Sequence, residues 1–517
     1  MGESKLKRTK QKEMLLSCTG VQAVAGRVQV RWETKSAATP MGQLAYFIEF
    51  LNLTGLWSRW LESCPLAYAS PNAPTKADVL GTWLLSMLAG HRRYAHVTAI
   101  RCDGVNPDLL GMRKVISEDA LRNALKRIPE IEGKAWLDTQ LAESVAPLLD
   151  APWILDIDST VKPLYGHQEG AEIGYNPRRP GRPSHAYHTY LMAGLRQIVG
   201  VEVSAGNEYT PKHAQPGLLK ILDELPQQRK PRLVRGDNAF GNDAMMKELE
   251  ERGQPYLFKL KLSKNVKRYI GSLFRRDDWT DAGQGWEGID GELALTGWKK
   301  KRRVAVLRRQ IQEEIVMMGE EDGGQQLLAF IEADRKKGKR VVGYEYAVLV
   351  TNTDYEVLSL GQLYRDRADA ENAFDELKNQ WGWGGFVTRD LHRCQLAARG
   401  VALAYNWWSL FARLAHPDRR SEAITSRPWL MSSVGHRTDH AGQTTITLTG
   451  LHAHFGKARA ALMRVSALLQ GWFERAAEQL PERSVWLSVC DHLKRTLASI
   501  GPPESLCLLT NDANGIG

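Results

Sequence analysis

Three acids in this 517-residue chain stand where phosphoryl-transfer chemistry needs carboxylates: Asp158, Asp237 and Glu371. Asp158 closes the apolar run Trp153 to Asp158 (WILDID) and is followed by Ser159 and Thr160. Asp237 follows a second short run, in Val-Arg-Gly-Asp-Asn, where Gly236 and Gly241 leave room beside it. Functional groups of wound α/β sheets gather at the carboxyl ends of strands. Glu371 lies in Tyr364 to Lys378, YRDRADAENAFDELK. At about 100° per residue, Tyr364, Arg367, Glu371 and Lys378 fall within roughly 60° of one another, beside an apolar stripe of Leu363, Ala370, Phe374, Leu377 and Trp381. By itself such a stripe is an ordinary solvated face beside a core face. Two acids on neighbouring strand ends change that reading, because three carboxylates can hold two divalent cations. Mg²⁺ prefers oxygen ligands and keeps exchangeable waters; Mn²⁺ has the same taste for oxygen. Two such ions stabilise the attacking and leaving oxygens of an in-line displacement. Asp156, two residues before Asp158 and so on the same strand face, is the alternative first ligand.

The elements that must position these acids are legible from Ala151 onward. Trp153 to Asp158, His185 to Ala193 and Gln197 to Ser204 read as strands. A helix at Pro216 to Leu225, a strand at Arg232 to Arg235, a helix capped by Asn242 and a strand at Pro255 to Leu262 follow. The order β-β-β-α-β-α-β is that of a ribonuclease-H-like core. Gly166 to Ser184, with NPRRPGRPS, must be a loop, and places Arg178, Arg179 and Arg182 as candidate DNA contacts. The rhythm then breaks. Lys259 to Arg276 carries seven bases and no acid, Asp277 to Glu292 six acids and no base, and Lys299 to Arg309 seven bases and no acid. Strand-like runs lie between (Leu293 to Thr296, Val304 to Leu307, Gln326 to Ile331), so a β-rich insertion is expected. A strand at Tyr344 to Thr351 rejoins the core, and a long helix follows from about Ser359 to Gln380.

Both flanks read as helical. Val24 to Trp32 suits a short strand, Thr75-x-x-Asp78 resembles a capping box, and Ser117 can cap Glu118 to Ile128. That last helix carries Arg122, Lys126 and Arg127 and follows another, as in a DNA-reading pair or a plain bundle. The expected organisation is a mainly helical DNA-binding region over 1–145, core over 150–262, insertion over 263–343, core again over 344–414, and a helical region over 415–517.

Composition sets the class. Hydrophobic content is 43%, charged content 25%, and the formal charge +10, which fits a soluble globular chain and favours a polyanion partner. The most apolar stretches fall short of the ~18–20 residues a membrane span needs, and the run before Cys18 is too short for a signal segment. Six cysteines show no C-x-x-C spacing, which suits reduced thiols in a cytoplasm. No P-loop is present. A tyrosine recombinase is excluded because no tyrosine follows Tyr405. His185 and His188, three apart on a strand, point to opposite faces and do not suit zinc.

The Tyr364, Arg367, Glu371, Lys378 spacing resembles the Y-R-E-K signature of cut-and-paste DDE transposases from bacterial insertion sequences. Asp158-Ser-Thr and Gly236-Asp237-Asn-Ala-Phe resemble that family's two aspartate motifs, and DIDSTVKPLYG…GYNPRRPGRPSHAYHTY is similar to the insertion sequence family 1380 branch. The likeness covers about Ala151 to Leu414. It implies an α/β fold, with a ribonuclease-H-like core interrupted by a β-rich insertion and helical terminal regions. It also implies a catalytic and metal-binding trio of Asp158, Asp237 and Glu371 with two Mg²⁺ ions. Tyr364, Arg367 and Lys378 would support the glutamate and contact transposon-end DNA. The implied partners are double-stranded DNA, as transposon ends and target, and a second copy in a paired-end homodimer. The implied place is the bacterial cytoplasm, on the nucleoid.

Two classes follow: an active transposase, or a DNA-binding protein derived from one. A glycosidase with paired carboxylates would need an aromatic sugar cleft rather than basic stripes. Within the insertion, Trp298 adjoins Lys299, Lys300, Lys301, Arg302 and Arg303, so an unstacked base and its phosphates are expected there. Trp286 is the second choice, and packing within the insertion the plainer one.

Overall fold

The computed structural model describes residues 18–34, 36–311, 343–479 and 483–500. The basic start and the Gln326 to Ile331 run lie outside these residues. Fifteen strands are present among those described: β1 (Thr19–Ala23), β2 (Gly26–Val30), β3 (Ala37–Thr39), β4 (Ile154–Pro163), β5 (Glu172–Ile173), β6 (Pro183–Met192), β7 (Gln197–Ala205), β8 (Leu233–Gly236), β9 (Tyr256–Lys259), β10 (Thr280–Asp281), β11 (Trp286–Leu293), β12 (Arg302–Ile311), β13 (Gly343–Thr351), β14 (Gly435–His440) and β15 (Gln443–Leu448).

Ten of them form one sheet in the order β10-β11-β12-β13-β9-β8-β4-β6-β5, with β7 also on β6. β4, β8 and β9 run parallel at its centre; the remaining pairs are antiparallel. The parallel centre is covered on both faces, so Ile154, Leu155, Ile157, Leu233, Val234, Leu257 and Phe258 are all buried. Helix Pro211–Glu224 starts more than a turn before the expected Pro216, which lies inside it, while Asp243–Glu251 falls where the sequence places it, capped by Asn242 Oδ1 accepting from the Met245 amide at 3.1 Å. Strands β11 and β12 do not stand apart from the core: they pair through β13 onto β9 and widen the same sheet.

The expected single helix over 359–380 is two helices, Val357–Arg365 and Ala368–Gln380. The cause is a side chain from the sheet. The Arg235 guanidinium donates to the Leu363 carbonyl, and the Arg367 amide bonds Tyr364 O at 3.1 Å instead. The next amides also reach back three residues, Asp369 to Asp366 O and Ala370 to Arg367 O, a tightened turn that separates the helices.

The flanking regions pack on each other as well as on the sheet. β3, near the start, pairs with β14, near the end, and β14 with β15. These strands lie in regions expected to be helical; their pairing partners are far apart in sequence, beyond the reach of local patterning. Helix Leu391–Ala415 runs through the body, with Trp407 and Trp408 each 1% exposed. Trp407 meets Trp60 edge-on at 5.5 Å, and Trp408 Nε1 donates to Ser426 Oγ at 2.9 Å, so both are core residues. The Thr75–Asp78 capping box forms as expected, and the Asp78 carboxylate also accepts from the Arg113 and Lys114 amides. Among the described residues no helix is long and apolar enough to cross a membrane.

Candidate active site

The parallel register of β4 and β8 does the first part of the positioning. Asp156 lies opposite Arg235 and Ile157 opposite Gly236, so the next residues, Asp158 and Asp237, emerge side by side at the sheet edge. Asp237 Oδ1 accepts from the Ala239 amide at 3.0 Å, which fixes the turn after β8. Asp156 has a different role. Arg235 Nε and Nη2 each meet one of its oxygens at 2.7 Å, and both side chains are 1% exposed. With its oxygens engaged in that buried pair, Asp156 is a strut joining β4 to β8. Asp158 is the carboxylate on this strand that faces the acid edge.

Arg367 joins the glutamate helix to this edge. It sits 3.5 Å from Asp158 Oδ1 and 3.0 Å from Glu371 Oε1, and donates to the Ile157 carbonyl at 3.4 Å. Its side chain is only 5% exposed. The guanidinium therefore faces inward as a clamp between two acids, and is not laid open to a phosphate. Glu371 is 67% exposed at its side chain and rests on Arg367. Tyr364 lies near enough for Arg367, Asp237 and Glu371 to act on its hydroxyl. Lys378 is felt by Asp158, with Arg178 from the NPRRPGRPS loop beside it. The structure thus brings Asp158, Asp237, Tyr364, Arg367, Glu371, Lys378 and Arg178 together.

The titration behaviour reflects this crowding. Burial pushes the Asp158 carboxyl up to about 6; Arg367 opposes the rise and Asp237 adds to it. Burial likewise lifts the Tyr364 hydroxyl to about 12. Burial depresses Lys378 against the pull of Asp158, with Arg178 adding to the fall. For Arg367, burial works against the charge, but Asp158 and Asp156 more than offset it and hold the guanidinium above its ordinary range. Tyr209 belongs to the same neighbourhood and carries no motif. Its hydroxyl is raised first by burial, then by Asp158 and Asp237, and its ring stacks on Tyr175 at 4.9 Å. The position follows from how the turn after β7 crosses the edge, so no local pattern announces it.

Among the described residues, no group of three or more His, Cys, Asp or Glu is gathered closely enough to hold a metal ion. The two aspartates adjoin, while Glu371 is turned onto Arg367. The donor set nonetheless fits a hard divalent cation. Asp158 and Asp237 are adjacent oxygen donors, and Asp158 is raised first by burial, a cost to its charged form that a bound cation would offset. His185 and His188 hold the backbone carbonyls of Glu169 and Glu208 at 2.8 and 2.9 Å.

The other predicted contacts lie elsewhere. Arg303 stands opposite Thr351, which stands opposite Leu257, and Ala305 stands opposite Leu349, which stands opposite Lys259. So β12 begins level with the middle of the parallel strands and draws level with the acids at Ala305, with β13 and β9 between it and β8. Trp298 to Arg302 therefore lie toward the end of the sheet away from the acids. Arg302 is 3% exposed, with its guanidinium bonded to Asp243 and Glu250. Lys300 pairs with Glu250 at 3.0 Å and Arg303 with Asp290 at 2.7 Å. Trp298 packs on the core with Arg302 5.3 Å above its ring. The Lys299 amide bonds Asp243 at 3.3 Å. Trp286, the second choice, lies opposite Arg309, on the acid side of the sheet. Arg179 and Arg182 gather over the Tyr165 ring at 5.5 and 4.4 Å, close to the Lys378 side of the site.

Residues 150–407 match the family model of the transposase DDE domain. Asp158, Asp237 and Glu371 all fall inside that span, for which the family implies a ribonuclease-H-like core. No curated protein matches the chain. Among solved structures, a piggyBac transposase synaptic complex with hairpin DNA, determined by cryo-EM, is similar over 91% of this chain and 88% of that one, at a TM-score of 0.36 and 11% identity.

Proposed function

We propose, from a chain whose residues 150–407 form a transposase DDE domain, that this protein binds the terminal inverted repeats of an insertion sequence and catalyses metal-dependent strand cleavage and strand transfer. The insertion sequence family 1380 branch remains the proposed subgroup, on the sequence signature. The observation that carries the reading is the side-by-side emergence of Asp158 and Asp237 from adjacent parallel strands, with Arg367 linking Asp158 to Glu371.

Asp158, Asp237 and Glu371 would hold the ions, Mg²⁺ or Mn²⁺, two per site. Glu371 joins the pair by a rotation of its exposed side chain off Arg367. Bound divalent cations supply charge stabilisation to the attacking and leaving oxygens. The chain's own residues do the rest. Arg367 holds the β4 backbone at Ile157 and the Asp158 carboxylate in place. Tyr364 keeps its proton at all ordinary pH and offers a hydrogen bond beside Asp237 and Glu371. Lys378 and Arg178 put positive charge at the rim, where a DNA phosphate arrives. A paired-end homodimer acting on double-stranded DNA in the bacterial cytoplasm, on the nucleoid, completes the proposal.

The test is cleavage of DNA carrying the source element's ends, with Mg²⁺, beside gel-shift affinity for the same DNA. Asp158→Ala, Asp237→Ala and Glu371→Ala are expected to lose cleavage and keep binding. Binding without cleavage in the unaltered protein, across Mg²⁺ and Mn²⁺, would support the second reading, a transposase-derived DNA-binding protein.

A further inference from the structure

Past Asp158, β4 runs on beyond the end of β8 to Pro163, and a cleft of about 650 Å³ opens along it. One wall is β4 and the segment after it, with Lys162 and Tyr165. The facing wall is the helical body, with Arg92, Arg93 and Arg122. The floor is the loop after the glutamate helix, and Lys378 closes the end next to the acids. Among the described residues that line it, none is acidic.

The cations here differ in how they are engaged. Arg122 pairs with Glu118, and Arg92 donates to the Asn379 carbonyl. Arg93 is exposed and makes no ion pair among the described residues. Lys162 is the unusual one: its Nζ is buried and has no hydrogen-bond partner. An ammonium left this way is costly unless something answers it. Its stem is already ordered. A Cβ on Gly384 would lie 3.0 Å from Lys162 Cδ and 3.2 Å from its Cε, so the loop passes close against the lysine stem. Burial lowers Lys162 to about 8, which still leaves it mostly charged at neutral pH. The other groups acting on it do not neutralise it: Cys394 is a buried thiol raised by burial, and His185 is lowered mainly by burial.

We infer that this cleft holds the sugar-phosphate backbone of the DNA strand that enters the acid site, with Lys162 Nζ and Arg93 as direct phosphate contacts. The inference rests on reading the acid edge as the place of DNA cleavage. Asp158 and Lys162 are four residues apart on one strand, roughly 13 Å at ~3.3 Å per residue. The ~3.4 Å axial rise per phosphate is a lower bound on phosphate spacing, because the strand winds round the axis, so the contacted phosphate lies about two to four nucleotides from the one that is cut. Contacts to phosphate carry no sequence information, so this part of the binding is expected to be indifferent to sequence.

The probe is a labelled duplex carrying the source element's end, with a single neutral methylphosphonate moved one position at a time along each strand. The unaltered protein is expected to lose affinity when the neutral link falls about two to four nucleotides from the cut site. Lys162→Met, which keeps the packed stem, is expected to erase that penalty and make the log–log salt slope shallower by about 0.9. Lys162→Arg is expected to restore both, and Arg93→Ala, at an exposed position, to reduce the slope without changing the melting temperature. A Lys162→Met protein that melts normally and keeps the same slope and methylphosphonate pattern overturns the inference, as does an Arg93→Ala protein with the unaltered slope. If the unaltered protein shows no salt-dependent binding to this duplex, the DNA reading falls too. If it shows the pattern but never cuts, the cleft stands and the catalytic reading falls.

Discussion

Two basic regions of this molecule look alike in sequence and differ in what surrounds them. The stripe over 299–303 is five consecutive cations, and Lys300, Arg302 and Arg303 are answered by Glu250, Asp243 and Asp290. The cleft along β4 draws single cations from distant segments and presents Lys162 and Arg93 without an ion pair among the described residues. Density of charge along the chain therefore does not locate a polyanion site. What counts is whether the folded protein already supplies the counter-charge.

The largest effect separates chemistry from charge. Asp158→Asn should reduce Mg²⁺-dependent cleavage to background, whereas Lys301→Ala, in the stripe, should leave the cleavage rate within about twofold, as an ordinary exposed substitution. A tenfold loss in the Lys301 variant would bring the stripe back to the DNA.

Next in size is Arg302→Ala. Removing this 3% exposed guanidinium takes a shared partner from Asp243 and Glu250, which are partly exposed and keep the Lys299 amide and Lys300, so unfolding in urea should show a loss of about 1.5–3 kcal/mol. The salt slope of DNA binding by the folded fraction should not move. A slope change with intact stability would erase the contrast between the two regions.

A smaller effect, of the opposite sign, is expected at Asp158. Its folded carboxyl titrates near 6 against an ordinary 3.8, so between those values the folded chain holds a proton that the unfolded chain has released. Stability without divalent ions should then fall as pH rises from about 4 to about 6. Asp158→Asn should be flat through that window and, at pH 7, more stable than the unaltered protein by about 1–3 kcal/mol. Added Mg²⁺ should stabilise the unaltered protein and not the variant. Thermal melts across pH, with and without Mg²⁺, would show it; a variant less stable at pH 7 would mean Asp158 is a structural partner of Arg367.

The smallest effect is expected for Trp298→Ala. The ring packs at the end of the sheet away from the acids, so the ratio of nicked to fully cut product should stay unchanged while the melting temperature drops by a few degrees. Denaturing gels of end-labelled DNA would reveal any selective loss of the later step, which would place Trp298 back beside the DNA.

The sequence by itself determined the features that rest on short-range chemistry. The apolar runs place Asp158 and Asp237 where strand burial gives way to polar residues, although only β8 ends there, at Gly236, while β4 continues to Pro163. Thr75, Ser117 and Asn242 cap their helices because each side chain reaches an amide three residues on. The spacing of Tyr364, Arg367, Glu371 and Lys378 survives as a shared neighbourhood even though the helix is broken. Tertiary structure alone decided which charges are free. Arg235, from the sheet, takes the Leu363 carbonyl, which splits the helix, and takes Asp156, which leaves Asp158 facing the acid edge. The pairing of β3 with β14, the approach of Tyr209 to the aspartates, and the meeting of Arg93 with Lys162 join residues far apart along the chain. Periodicity and capping report what a residue's near neighbours require. Counter-charge and desolvation depend on every atom that folds to within a few ångströms, and that is fixed only once the chain has closed on itself.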